Sequence, residues 1–212
     1  SQRLVESCGE LFDGAAAGLL LADPDGTLRV LASSSDQLRV VELFEIQAQE
    51  GACLDAYRSG QPVINQDLTH VNGRWPRFAP VALGAGYRAV HAFPVRLRHQ
   101  VIGALNLFRV DSGFLDSLDV LAAQALADAT AIAILQQRAL TDAHLLAEQL
   151  QVALNSRILI EQAKGMLAER AGLSVGEAFT RIRSFARTHN QQLTAVCEAI
   201  IEGRSSMPDL IK

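Results

Sequence analysis

Residues 153–170 read ALNSRILIEQAKGMLAER, and residues 171–187 continue AGLSVGEAFTRIRSFAR. Leu154, Ile158, Ala163 and Leu167 fall at helical spacing, with polar residues between them. Gly172 stops that helix, and Ser174-x-x-Glu177 is a capping-box pattern that starts another. Ala178, Ile182 and Phe185 give the second helix an apolar stripe; Arg181, Arg183 and Arg187 surround it, and His189 lies just beyond. A third short helix is expected from about Gln191 to Glu202, with Leu193, Val196, Cys197 and Ile200 inward. The stretch predicts an all-α unit of three helices.

Its chemistry can be read from residue types. Arg157 and Lys164 lie two turns apart on one helix face. Lysine meets phosphate as a point charge, whereas arginine also stacks on a base or grips its edge. Ala163 and Gly165 are small enough for a backbone or a nucleic acid to approach closely. Gly165 inside a helix costs about 1 kcal/mol against alanine, so something should offset it. On charge alone, a bundle with solvated basic residues is the plainer reading. The residues themselves decide otherwise. Ser156-Arg157, then Ile160-Glu161-Gln162-Ala163-Lys164-Gly165-x-Leu167, Ala178-Phe179 and Ala186 resemble the ANTAR domain, a three-helix RNA-binding module of transcription antiterminators. The resemblance covers roughly residues 147–202 and is most specific from Glu161 to Gly165. It implies an RNA-binding set of Arg157, Gln162, Lys164, Gly165, Arg183, Arg187 and His189, with paired stem-loops in nascent mRNA as the partner.

Composition bounds the rest. The chain has 212 residues, 49% hydrophobic and 20% charged, as in ordinary globular proteins. No uninterrupted apolar run reaches membrane-spanning length, and no signal-peptide pattern opens the chain, so a cytoplasmic protein without membrane association is expected. Cys8, Cys53 and Cys197 are scattered without metal-ligand spacing and read as reduced, buried thiols. Net charge is −4 and unevenly spread: residues 1–150 hold 11 Lys and Arg against 17 Asp and Glu, whereas residues 151–212 hold 8 against 6. A mildly positive C-terminal module on an acidic body suits selective nucleic-acid binding.

The preceding chain alternates strands and helices. A helix is expected over residues 1–17, then a strand at Gly18 to Asp23, a tight turn, and a returning strand from Leu28 to Ser34. Helices follow at residues 36–49, through Leu38, Val41, Phe44 and Ala48, and at Ala52 to Ser59. A strand at Val63 to Asn65 leads to a polar segment, Asp67 to Trp75, and a short helix at Val81 to Ala85. Two strongly apolar strands, Ala89 to Leu97 and Val101 to Arg109, form a hairpin. The Ala-Asp-Pro-Asp-Gly turn, Glu50-Gly51-x-Cys53-Leu54-Asp55, Arg74-Trp75-Pro76-x-Phe78, His91-Ala92-Phe93-Pro94-Val95 and Ile102-Gly103-Ala104-Leu105-Asn106-Leu107 resemble a GAF domain, of the type joined to ANTAR modules in actinobacteria. This resemblance implies a central antiparallel sheet that senses small molecules or holds dimers. The Asn-Lys-x and Phe-x3-Asp-Glu set of cyclic-nucleotide sensors is absent, and no cysteine has a bilin-attachment setting.

A ligand pocket is expected between the sheet and the segment Cys53 to Phe78, lined by Cys53, Tyr57, Trp75, Phe78, His91 and Asn106, with Trp75 near its mouth. His91 reads better as a satisfied core histidine, and Trp75 reads equally as a plain loop anchor. From Phe114 to Lys164 there is neither Gly nor Pro. Asp111 or Ser112 can cap a long helix there. Leu118, Leu121, Ile132, Leu135, Leu146 and Leu150 form an apolar seam that needs a partner helix, and Thr141-Asp142 interrupts it as a hinge. The first half of the seam can pack on the chain's own sheet. These readings combine into an α+β chain: a GAF-like sensor at 1–137, a helical connector at 138–152 and an ANTAR-like RNA-binding domain at 153–212. It is expected to act as a homodimeric, signal-responsive antitermination regulator with an unidentified small-molecule ligand. No Ser/His/Asp set, phosphate loop or metal motif appears, so neither catalysis nor a cofactor is expected. Two rivals stand beside this reading: a GAF signalling module whose C-terminal helices dock a protein, and a redox sensor or enzyme working through Cys53.

Overall fold

The structure, a computed structural model, describes residues 2–71 and 73–203. Ser1, Asn72 and residues 204–212, the last of these part of the expected C-terminal domain, lie outside the described residues. Contacts divide the chain into two units, residues 1–137 and 138–212.

In the first unit, helix α1 (Gln2–Leu11) precedes strands β1 (Ala16–Ala22) and β2 (Leu28–Ser33). Helices α2 (Asp36–Ala48) and α3 (Ala52–Ser59), strand β3 (Val63–Asp67), helix α4 (Phe78–Gly84) and strands β4 (Ala89–Leu97) and β5 (Gln100–Arg109) follow. The strands form one antiparallel sheet in the order β2-β1-β5-β4-β3. Asp23 builds the first turn: its Oδ1 accepts the N–H groups of Asp25 at 3.2 Å and Thr27 at 2.9 Å. The expected helix over 1–17 ends at Leu11, because Asp13 and Gly14 take positive φ (51° and 76°) and turn the chain into β1.

Strand alternation sorts side chains to two faces. Ala17, Leu19, Phe93, Leu105 and Leu107 form one core with Val5, Cys8 and Phe12. Helix α5 (Ser117–Ala171) closes this core with Ala123, Ala127 and Ala131. Four-residue spacing of small side chains lets α5 lie close on the sheet. The other face carries Val90, Ala92 and Phe108 against Leu38 and Val41 of α2, Ala52 and Ala56 of α3, and Trp75, Phe78 and Tyr87. Each fully buried leucine or phenylalanine contributes roughly 1.5–3 kcal/mol.

Three features of α5 correct the sequence reading. Asp116 caps it, its Oδ1 accepting the N–H groups of Leu118 and Asp119 at 2.8 Å each, while Asp111 pairs with Arg109 at 2.9 Å. The alanines, rather than the expected leucine seam, face the sheet: Leu118, Leu121 and Ile132 are exposed and Leu135 is half-buried. Thr141 and Asp142 are helical, without a break. Although charges interrupt every apolar run, an 18-residue window of α5 averages a hydropathy of 1.7, long and apolar enough by length and composition to cross a membrane. Its buried stripe is already covered by the sheet.

In the second unit, the C-terminal part of α5 joins α6 (Val175–Thr188) and α7 (Leu193–Ile201). Gly172 ends α5 with φ 63°, and Leu173 N–H returns to the Ala168 carbonyl at 2.9 Å. Ser174 and Glu177 form the capping box of α6. The core is Ala163, Leu167, Ala178, Ile182, Ala186, Val196, Cys197 and Ile200. Leu154 and Ile158, at the same helical spacing, are 52% and 47% exposed and stay outside it.

Candidate functional site

The basic residues of the second unit fall into two groups. Lys164 Nζ lies 2.9 Å from both carboxylate oxygens of Glu161 and 5.3 Å from the centre of the Phe179 ring. It ties α5 to α6, and its side chain is 17% exposed. Arg170 donates to the Ile200 carbonyl at 3.3 Å, at the end of α7. Arg157, Arg183 and Arg187 are exposed, and among the described residues no ion pair holds them. Arg183 and Arg187 stand one turn apart on α6, outside its buried stripe of Ala178, Ile182 and Ala186. His189 caps α6: its ring stacks on Phe185 at 3.9 Å, and its Nδ1 lies 2.9 Å from the Phe185 carbonyl.

Gln162 is exposed beside Gly165. A Cβ added at Gly165 would meet nothing within 4 Å. The fold therefore does not require this glycine, and its helix cost has no compensation inside the unit.

In the first unit the expected pocket residues divide. Trp75 is 2% exposed rather than at a mouth. Its Nε1 donates to Asp55 at 3.1 Å, and Arg74 covers its ring at 4.8 Å. Trp75, Phe78 and Phe108 meet edge to face at 6.0 and 6.3 Å, filling that side of the sheet. Tyr57 is half-buried against Leu54 and Cys53. His91 is on the opposite face, since it pairs with Leu107 while Ala92 pairs with Asn106. Its Nδ1 accepts the Asn65 N–H at 3.0 Å, and burial lowers its pKa to about 4, so the ring is neutral. It belongs with the core-histidine reading rather than with Cys53 and Asn106.

Cys53 and Asn106 do come together, around two acids that the sequence reading passed over. Glu42 and Glu45 of α2 are at zero exposure. Glu45 accepts the Cys53 N–H at 2.8 Å and the Asn106 Nδ2 at 3.3 Å. Burial pushes Glu42 up to about 8, with the Glu45 charge adding to it; burial likewise pushes Glu45 up to about 7. Burial and then Glu45 raise the Cys53 thiol well above 9.0. A buried, protonated thiol is a poor nucleophile, which overturns the redox reading of Cys53. The acids were legible in principle: Glu42 and Glu45 continue the inward 3-4 spacing of Leu38, Val41 and Ala48, where Phe44 had been placed instead.

A sheet faced by helices on both sides is followed by a small helical unit with exposed arginines. Residues 1–135 match the GAF domain and residues 148–201 the ANTAR domain. The chain belongs to the GAF domain family and has GAF-ANTAR architecture. Among solved structures, the GAF domain region from Geobacter sulfurreducens is 19% identical with a TM-score of 0.54, over 63% of this chain and 89% of that one. GAF3 from Synechocystis sp. is 14% identical, TM-score 0.54, over 66% and 94%. The GAF domain of an Acinetobacter phosphoenolpyruvate-protein phosphotransferase is 15% identical, TM-score 0.50, over 66% and 82%. At these identities the likeness concerns the fold alone. No curated protein matches the chain.

Proposed function

We propose that this chain is a signal-responsive regulator that binds paired stem-loops in nascent mRNA and promotes transcription antitermination in the cytoplasm. The observation that carries the reading is the ANTAR match over residues 148–201, placed after a GAF sensor. Arg157, Arg183 and Arg187 are its exposed cations, with Gly165 and Gln162 the small and polar positions beside them. Lys164, held by Glu161, positions the helices and contributes less directly.

The active form is a homodimer. Leu118, Leu121, Ile132, Leu146 and Leu150 are 73, 67, 43, 56 and 61% exposed on one helix, and Leu135 is half-buried beside them. A second copy of α5 covers such a face. Two RNA-binding units held together gain by effective concentration what a single, weakly basic unit lacks.

Gel retardation of a tandem stem-loop RNA tests the reading. The parent shifts the RNA, and Arg183→Ala with Arg187→Ala weakens binding roughly tenfold or more while lowering the salt slope by about two. A chain that leaves the RNA unshifted at every concentration overturns the reading in favour of protein docking by the C-terminal helices.

A further inference from the structure

The sensor holds one cluster that neither the RNA surface nor the aromatic core uses. Glu42 and Glu45 lie one turn apart on α2 and face Asn106 of β5 and Cys53 of α3. Two glycines are shaped to them. A Cβ on Gly18 would fall 1.6 Å from Glu42 Oε1, and one on Gly51 would fall 2.1 Å from Glu45 Oε1. Gly18 pairs directly with Asn106 across the sheet, so the Glu42 carboxyl, the Asn106 amide and Glu45 converge on one point.

The hydrogen bonds there are incomplete in a specific way. Glu45 has its donors, the Cys53 N–H and Asn106 Nδ2. Both oxygens of Glu42 and the Oδ1 of Asn106 are buried without a hydrogen-bond partner. Three buried acceptors in one cluster are thus left without a well-formed hydrogen bond. Ser33 of β2 and Asn106 are near enough to act on Glu42, and Arg39, the positive charge that acts on it, is the weakest of its influences. Asp55 of α3 adds negative charge toward Glu45, and Tyr87, ahead of β4, lies close enough to feel Glu42. A single hydrogen on Glu42 removes the charge there and gives the cluster a donor that it lacks.

We propose that the Glu42–Asn106–Glu45 cluster is a binding site for one proton, carried by Glu42 against Asn106, and that losing it loosens α2 and α3 from the sheet. Ionisation would leave two buried carboxylates one turn apart, with Arg39 the positive charge that acts on Glu42. The raised values of about 8 and about 7 place the loss close to neutral pH. The proposal rests on the sensor reading only in making this proton an input signal.

The single tryptophan reports on the site, since Trp75 donates to Asp55 on the helix that carries Cys53. Fluorescence of the full chain, titrated through pH 7 and 8, changes in the parent and stays flat in Glu42→Gln, whose amide carries a fixed donor. Amide exchange in α2 and α3 quickens above the midpoint in the parent alone. Should Glu42→Gln not fold, the infrared band of a protonated carboxyl in the parent, present below the midpoint and lost above it, makes the same test. A flat parent, or a variant that titrates like the parent, overturns the proposal. So does a midpoint that moves when sodium is exchanged for potassium, because the ligand is then a metal ion. Failure to shift RNA at any pH counts against the antitermination reading and leaves this titration as measured; a flat titration with RNA bound does the reverse.

Discussion

The two units fill their interiors differently. All four fully buried polar or charged side chains found among the described residues, Glu42, Glu45, His91 and Asn106, lie in the sensor sheet and its covering helix. The three-helix unit closes over eight side chains that are aliphatic or a thiol. A core of the second kind depends on shape alone, and its small size leaves each residue a large share of the total. A core of the first kind also depends on protonation. One chain thus combines a helical unit whose core holds neither carboxyl nor imidazole with a sensor whose core holds both.

The sharpest way to break this comparison is to damage the smaller core. Ile182→Ala should cost roughly 2–5 kcal/mol and unfold the three-helix unit. Trp75 fluorescence should report an unchanged sensor while helical circular dichroism falls. Loss of both signals in one transition would mean that the units do not unfold separately.

A second test varies pH instead of sequence. Glu42 and Glu45 are raised from 4.5 to about 8 and about 7, so the folded sensor binds more protons than the unfolded chain. Their contribution is complete below pH 4.5 and is lost as pH rises through the folded values. His91, lowered from 6.5 to about 4, acts with the opposite sign, its contribution being lost as pH falls below 6.5. Between pH 6.5 and 8 the carboxyls therefore dominate, and the thermal midpoint followed by Trp75 should fall, while that of the helical unit stays level. Parallel midpoints would remove the contrast.

The smallest expected effect concerns Gly165. Gly165→Ala should stabilise the helical unit by about 0.5–1 kcal/mol, since the new methyl meets nothing. RNA retardation should weaken at the same time. Greater stability with unchanged binding would mean that no partner uses the glycine.

Elements with a strong local signal were legible from the sequence. Ala52 to Ser59, Ala89 to Leu97 and the Ser174–Glu177 capping box stand where spacing and turn residues put them. The cap of α5 was misread because several short polar residues precede the helix, and only tertiary structure commits Asp111 to Arg109 and leaves Asp116 to the helix. The α5 stripe was misread because leucine outweighs alanine in any hydrophobic pattern, yet close packing on a sheet selects the smaller residue. Glu42 and Glu45 were missed for a related reason: an acid on an apolar stripe reads as the helix turning toward solvent until the glycines facing it are known. Among the basic residues proposed for RNA contact, the structure separates exposed Arg157, Arg183 and Arg187 from the tethered Lys164.

Helix α5 has a bare middle. Every residue from 136 to 155 is exposed, a span close to six turns. Most helical stability in proteins comes from packing of an apolar face rather than from propensity. Inside a single copy, that span is held by its own backbone hydrogen bonds and helix propensity. A second copy that covers the span would add the packing it lacks. Pairing would then determine whether a mechanical message can travel along the chain at all, before any signal sets what that message is.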